Sequence, residues 1–175
     1  MIVIEGPDGA GKTRLAQRLS HDLEIPIATR VVSSDTHPMF DLVEWVQNNI
    51  EVGLTRTIFD RHRLISEPIY GPVLRKCQAP GFEDMGWLRT TQRSWRQLGP
   101  LVIFCLPPLE EVLLNLDQAN QPEQVILRAE TIYWLYFNQA SLWSPLHTWD
   151  YTKDGYNDVR NLVVDFARRK GLRDG

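Results

Sequence analysis

Short apolar runs alternate along this chain with stretches whose apolar residues recur every three or four positions. Met1 to Glu5 opens as a buried strand, and a glycine-rich turn leads into a helix from about Gly11 to Leu23. Leu15, Ala16, Leu19 and Leu23 share one face of that helix, the spacing a core-facing helix needs. Pro26 stops it, and Ile27 to Val32 reads as a second strand. Asp35 or Thr36 can cap a helix that starts near Pro38, buries Phe40, Val43, Val46 and Ile50, and ends at Gly53. Leu54 to Phe59 is a third strand, with Asp60 at its C-terminal edge.

Pro68, Gly71, Pro72, Pro80 and Gly81 mark the next stretch as mostly irregular. Asp84 then caps a helix from Met85 to Leu98, closed by Gly99 and Pro100. Leu101 to Leu106 is unbroken apolar sequence between prolines, as expected of a strand covered on both faces. A short helix from Pro108 to Leu116, a polar link from Asp117 to Pro122 and a long apolar helix from about Glu123 to Trp143 follow. Thr148 to Tyr151 is the final strand and Asn157 to Arg169 the last helix. The alternation predicts an α/β fold, a parallel sheet wrapped by helices, with ligands at the C-terminal edge of the strands.

Composition narrows the picture. The 175 residues suit one domain, residues 1–175, with a sizeable core. Nineteen Lys and Arg against 22 Asp and Glu leave a net charge of −3, which excludes a polycation built to coat nucleic acid but allows a local basic groove. No apolar run approaches the ~18 residues of a membrane span, and the acidic residue at position 5, without a basic n-region, argues against a secretory signal. Cys77 and Cys105 match no metal spacing, so a reducing, cytoplasmic setting is expected.

Gly6-Pro7-Asp8-Gly9-Ala10-Gly11-Lys12-Thr13 fits the pattern G-x-x-x-x-G-K-[ST] and lies between a predicted strand and a predicted helix, the context that pattern requires. Small residues let main-chain N–H groups turn inward around phosphate oxygens, and the helix adds its positive dipole end. Lys12 then reaches the β- and γ-phosphates of ATP, and the Thr13 hydroxyl ligates Mg²⁺. Gly6, Asp8, Gly9, Ala10, Gly11, Lys12, Thr13 and Arg14 are the candidate nucleotide-binding residues. The Asn/Thr-Lys-x-Asp segment by which a GTPase reads guanine does not occur. Asp60-Arg61, directly after a strand, does stand where a second charged pair is useful.

With VIEGPDGAGKT at its start and Asp8 inside the loop, the sequence resembles the thymidylate kinase branch of the P-loop nucleoside and nucleotide kinases. Thr29-Arg30, Phe59-Asp60-Arg61-His62, the later Ser66 and Tyr70, the LVIFCLPP strand, the Tyr133-Trp134-Leu135-Tyr136 helix and Asp150-Tyr151 extend the resemblance over most of the chain. It implies a five-stranded parallel sheet and Mg·ATP-dependent phosphoryl transfer to a nucleotide-like acceptor. Lys12, Asp60 and Arg61 are then the catalytic candidates: Asp60 beside the metal and the attacking oxygen, Arg61 on the acceptor's phosphate, Asp8 on its sugar. The resemblance also leaves a dimer open. The chain departs from the family at Val31-Val32-Ser33, where Glu-Pro-Gly is usual, and at Asp117 to Pro122, which carries none of the family's lid arginines. Arg14, Arg128 and Arg61 are the candidates to offset transition-state charge instead.

The acceptor side should lie beyond Asp60, where Arg61, Arg63, Arg75, Lys76, Arg89, Arg93 and Arg96 fall close together. On the helix from Met85, Trp87, Leu88, Thr91, Trp95 and Leu98 form one stripe and Arg89, Arg93 and Arg96 the opposite face. Either that arginine face is simply solvated, or Arg89 and Arg93 hold acceptor phosphates while Tyr70 and Trp87 stack a base. Trp45, Trp134, Trp143 and Trp149 fall on apolar stripes and are expected in the core, and His62 is expected to pack rather than to move protons. Glu67 either touches the acceptor hydroxyl or is a loop charge. Three functions follow: a deoxynucleoside monophosphate kinase; a kinase for a free deoxynucleoside or, as in phage, for a hydroxymethylated base within DNA; or a module that binds ATP without transferring it.

Overall fold

The computed structural model describes residues 1–28, 57–76, 84–121, 123–143 and 145–171. Its sheet is built on β1 (Ile2–Glu5), four consecutive buried residues flanked on both sides by other strands. These are β2 (Ile58–Asp60), β3 (Leu101–Cys105) and β4 (His147–Trp149), in the order β2-β1-β3-β4 and all parallel. Ile4 stands opposite both Asp60 and Ile103, so three chain segments reach the C-terminal edge together. Ile27 adds an isolated parallel bridge to Ile58, and the Ala28 N–H donates to the Ile58 carbonyl at 2.8 Å. That is the start of the expected second strand; Thr29 to Val32, the helix near Pro38 and Trp45 lie outside the described residues. The sheet therefore has four strands among the described residues, where the resemblance implies five.

Parallel strands need crossovers, and helices supply them. They are α1 (Lys12–Leu23), α2 (Arg63–Tyr70), α3 (Met85–Leu98), α4 (Leu109–Gln118), α5 (Glu123–Ala140) and α6 (Tyr156–Arg169). Alternate strand residues point to opposite faces, and the core divides accordingly. Ile2, Ile4, Ile103 and Cys105 pack against Leu15 and Leu19 of α1 and Val159, Val163 and Phe166 of α6. Val3, Val102 and Phe104 pack against Leu64, Ile65 and Ile69 of α2, Trp95 of α3 and Tyr136 of α5. Among the described residues, no helix is long and apolar enough to cross a membrane.

The stretch after β2, expected to be mostly irregular, is helical as far as Arg75, and residues 77–83 lie outside the described residues. The His62 side chain accepts from the Leu64 N–H at the start of α2. A wider π-turn over Gly71–Arg75 continues the helix. Pro68 sits inside α2 and has no N–H to give the carbonyl four residues earlier. That carbonyl belongs to Leu64, and the Gln92 side chain of α3 donates to it at 2.7 Å. Arg128 of α5 donates to the Leu74 carbonyl of the π-turn at 3.2 Å. Pro68 reads locally as a breaker; here the Gln92 side chain, from another helix, replaces its missing donor.

The long helix α5 ends at Ala140, short of the expected Trp143, and its apolar residues do not all face inward. Ile132, Tyr133, Tyr136 and Ala140 are buried, whereas Leu127, Trp134 and Phe137 are exposed. Trp134 is thus not core as expected; its ring meets those of Tyr133 and Phe137 edge-on at the surface. Trp143 and Trp149 are buried as expected. On α3, Leu88 and Trp95 are buried but Leu98 is exposed.

Replacing Gln92 by Ala should lower stability by about 1–2 kcal/mol, because it orphans a buried carbonyl. In a Pro68→Ala background residue 68 regains its N–H, and the same change should then cost much less. Denaturant midpoints of the four proteins in this cycle test the pairing; equal losses in both backgrounds would refute it.

Candidate functional site

The loop between β1 and α1 closes tightly enough that two of its positions admit only glycine. Gly6 has φ of +140°, and a Cβ there would collide with the Cys105 carbonyl of β3. Gly9 has φ of +80°, and its Cβ would lie 2.7 Å from the Val112 carbonyl of α4. Asn115 of α4 donates to the Gly9 carbonyl at 2.8 Å and to the Tyr151 hydroxyl at 2.7 Å, tying the loop to the segment after β4. The first turn of α1 begins at Lys12, so its free N–H groups face the loop. Such a ring of main-chain donors suits an anion.

Lys12 is buried, and its ammonium donates to the Pro7 carbonyl. Burial and the neighbouring Arg61 pull its pKa down to about 8, against the opposing pull of Asp8 and Asp60. Thr13 follows on the exposed side of the turn, and its hydroxyl donates to Asp60 Oδ2 at 2.7 Å. Helix α1 and strand β2 thus bring together the hydroxyl and the carboxylate expected to share a metal. Both are hard oxygen donors, a small set of the kind Mg²⁺ uses when phosphates and water supply its other ligands.

One residue further on, Arg61 has a left-handed backbone, φ of +73°, held by its N–H on the Ile4 carbonyl at 3.0 Å. This turn sends the guanidinium back to the loop, where it pairs with Asp8 and donates to the Tyr70 hydroxyl at 2.9 Å. Tyr70 also accepts from the Asp8 N–H at 3.1 Å and donates to Asp8 Oδ2 at 3.2 Å, and the guanidinium lies 4.6 Å over its ring centre. Burial raises the Asp8 pKa, but Arg61, Lys12 and these hydrogen bonds outweigh it and hold the carboxyl below its ordinary value.

Below this cluster sits a group the sequence reading passed over. Glu5, at the end of β1, is fully buried. It accepts from the His62 N–H at 2.5 Å and from the Tyr136 hydroxyl at 3.0 Å. Burial pushes its pKa up to about 7 despite these donors and the nearby Arg61 and Lys12. A charged residue ending an otherwise apolar strand was the available signal. His62 itself is buried, stacked on Trp95 at 4.4 Å and edge-on to Phe59, and burial drives its pKa down to about 3. Its ring is therefore neutral at ordinary pH and serves packing.

Asp8, Gly9, Gly11, Lys12, Thr13, Arg14, Asp60 and Arg61 line one cleft of about 610 Å³. Its far wall brings in Arg18, Asn115, Tyr151, Asp154 and Tyr156, together with Trp149, which was expected only in the core. Arg18 lies four residues after Arg14 and therefore on the same side of α1. Its guanidinium covers the Tyr156 ring at 3.6 Å, and Tyr156 donates to Asp22 at 2.8 Å. Gly6 and Ala10 complete the loop beneath. Other foreseen residues lie elsewhere. Tyr70 is buried and fully engaged with Asp8 and Arg61, and Glu67 is buried within α2. Arg89 and Arg93 are exposed on α3 and line a separate cavity with Pro68 and Leu88.

Between its unfolded value near 4.5 and about 7, Glu5 holds its proton only in the folded protein, so stability falls as pH rises through that window. Above it the penalty is complete, roughly 3 kcal/mol at ~1.4 kcal/mol per unit. Glu5→Gln mimics the protonated acid: it can accept from His62 and donate to Tyr136. It should be more stable than the parent protein at pH 8, with the gap closing by pH 4.5. Urea unfolding at the two pH values measures this, and an equal difference at both would exclude it.

No protein-family model matches this chain, and no curated protein sequence matches it either. Solved structures do. The YorR protein of Bacillus subtilis, solved with phosphorylated GDP, is 17% identical with a TM-score of 0.71, and the match covers 99% of each chain. A deoxyadenosine kinase of M. mycoides, with dCMP and a flexible dCDP bound, is 18% identical with a TM-score of 0.57 over 96% of this chain and 98% of its own. The shikimate kinase of Acinetobacter baumannii, with shikimate, is 14% identical with a TM-score of 0.52 over 98% and 94%. This chain therefore has the α/β fold that these three proteins share.

Proposed function

We propose that residues 1–175 form a single P-loop kinase domain that transfers the γ-phosphoryl group of Mg·ATP to a nucleotide acceptor. The favoured acceptor is a deoxynucleoside monophosphate, as in the thymidylate kinases the sequence resembles. The contact that carries this reading is Thr13 to Asp60 at 2.7 Å, in the same cleft as Lys12 and Arg61. Main-chain N–H groups of the loop and Lys12 would grip the triphosphate. Thr13 and Asp60 would hold Mg²⁺, which would supply neutralisation of charge on the phosphates. Asp60, at the strand end, would orient the attacking oxygen. Such chemistry depends on alignment and charge more than on covalent help.

Arg61 and Asp8 fit the acceptor side. Arg61 offers a planar fork suited to a phosphate, and Asp8 suits a sugar hydroxyl. Each satisfies the other until an acceptor takes its place. With no Arg or Lys between Asp117 and Pro122, Arg14 is the best placed of the three candidates to offset developing charge, because it lines the cleft. Arg61 is tied to Asp8 and Tyr70, and Arg128 to the Leu74 carbonyl. The nucleotides in the YorR and deoxyadenosine kinase structures support a nucleotide as acceptor class, while shikimate kinase illustrates how far acceptors vary on this fold. A nucleotide within DNA is a second reading, favoured by the arginine-lined cavity on α3.

Incubation with γ-labelled ATP, Mg²⁺ and a panel of deoxynucleosides, deoxynucleoside monophosphates and modified oligonucleotides should place label on a monophosphate. Lys12→Ala should abolish transfer. Asp60→Asn should cut kcat by about 100-fold or more with an unchanged melting temperature. Chelating the metal should stop the reaction. Near-normal turnover in either variant would refute the site, and label found only in DNA would replace the acceptor.

A further inference from the structure

Arg96, near the end of α3, lines two cavities at once. One, of about 680 Å³, runs along α3 and includes Arg89 and Arg93. The other, of about 420 Å³, lies where β3 and β4 begin and includes His147, Arg169 and Lys170. Among the described residues, neither is lined by an Asp or Glu. Among the described residues no ion pair engages any of these four arginines or Lys170. Arg169 and Lys170 donate to the carbonyls of Asp165 and Leu98, which leaves their charges uncompensated by a carboxylate.

Cations in the last turn of a helix complement its dipole, which accounts for Arg96 and Arg169. It does not account for Arg89 and Arg93. Arg89 lies in the first half of α3 and Arg93 just past its middle, both outside the last turn and one turn apart, where like charges repel. A row of unpaired arginines on concave walls in a net acidic chain fits a ligand that brings several negative charges in line.

We propose that this row is a track for the phosphodiester backbone of a single nucleic-acid strand. From Arg89 to Arg96 the helix rises about 10 Å, at 1.5 Å per residue. That length is enough for the three arginines to meet two or more successive phosphates of one strand. Concave walls suit a strand laid between them better than a flat lipid surface. The Trp143 indole, beneath the Arg96 guanidinium at 4.7 Å and shared with the second cavity, has a buried N–H with no partner among the described residues. The track begins where β3 and β4 start and climbs α3 in the direction opposite to the chain, toward the sheet edge that carries the cradle. A bound strand would carry a nucleotide toward the cleft, as the second of the two acceptor readings requires; that last step rests on the kinase reading, whereas the track does not.

Fluorescence anisotropy with a labelled 15-nucleotide single strand, from 50 to 200 mM salt, tests the track. The slope of log affinity against log salt changes by ~0.7 per phosphate contact on single strands. Arg89→Gln with Arg93→Gln should weaken binding at least about 10-fold and lower the slope by about 1.4. Arg96→Gln with Arg169→Gln should do the same. Lys12→Ala, with its cradle disabled, should bind the strand like the parent protein. Melting curves check folding, and the single Arg89→Gln variant, losing about 0.7 of slope, serves if a double variant unfolds. Unchanged slopes, loss of strand binding in Lys12→Ala, or capture by phosphatidylserine vesicles without strand binding would each overturn the track. Strand binding that depends on the arginines, in a protein that labels no acceptor, would uphold the track and refute the kinase.

Discussion

A carboxyl group buried at the end of the central strand organises everything built on this sheet. Glu5 takes one hydrogen bond from the backbone just beyond β2 and another from Tyr136 on α5. It thereby joins three elements beneath the C-terminal edge of the sheet. The backbone it holds belongs to His62, next to Arg61, whose left-handed conformation is unfavourable for a side chain with a Cβ. The strained residue persists because both sides of it are pinned: its own N–H by Ile4 and the following N–H by Glu5.

That constraint aims charge. Arg61 must turn back toward the loop, where Asp8 and Tyr70 receive it, and Asp60 is left facing Thr13. Positive and negative groups thus alternate along one cleft, Lys12 and Arg61 among Asp8 and Asp60, with Glu5 buried beneath them. Burial lowers the Lys12 pKa and raises that of Glu5, so each group is held in surroundings that oppose its charge. A ligand carrying phosphates relieves the crowding of the two cations, which is how preorganised charge favours binding and transfer.

The other face of charge lies on α3. Its inner side packs Trp95 on His62 and reaches across to mend α2 through Gln92. Its outer side carries arginines that nothing acidic answers among the described residues. One helix therefore supports the site from within while presenting a second, separate electrostatic surface outward.

The phosphate loop was legible in sequence because its demands are local: positive φ at Gly6 and Gly9, a helix starting at Lys12, and a hydroxyl one residue later all follow from eight consecutive letters. The strand–helix alternation was legible for a similar reason, since periodicity is a property of short windows. Helix α2 was not, because Pro68 breaks it locally and Gln92, far along the chain, repairs it. Trp134 was misplaced because an apolar helix does not declare which of its faces will meet the sheet. Glu5, Arg18 and the link from Asp8 through Arg61 to Tyr70 depend on strand register, which sets Ile4 beside Asp60. Sequence by itself determined the chemistry the chain could carry, because residue type and local backbone demand are written in order along it. Only the tertiary structure decided which of those groups meet, because burial and hydrogen-bond partners come from segments that sequence order keeps apart.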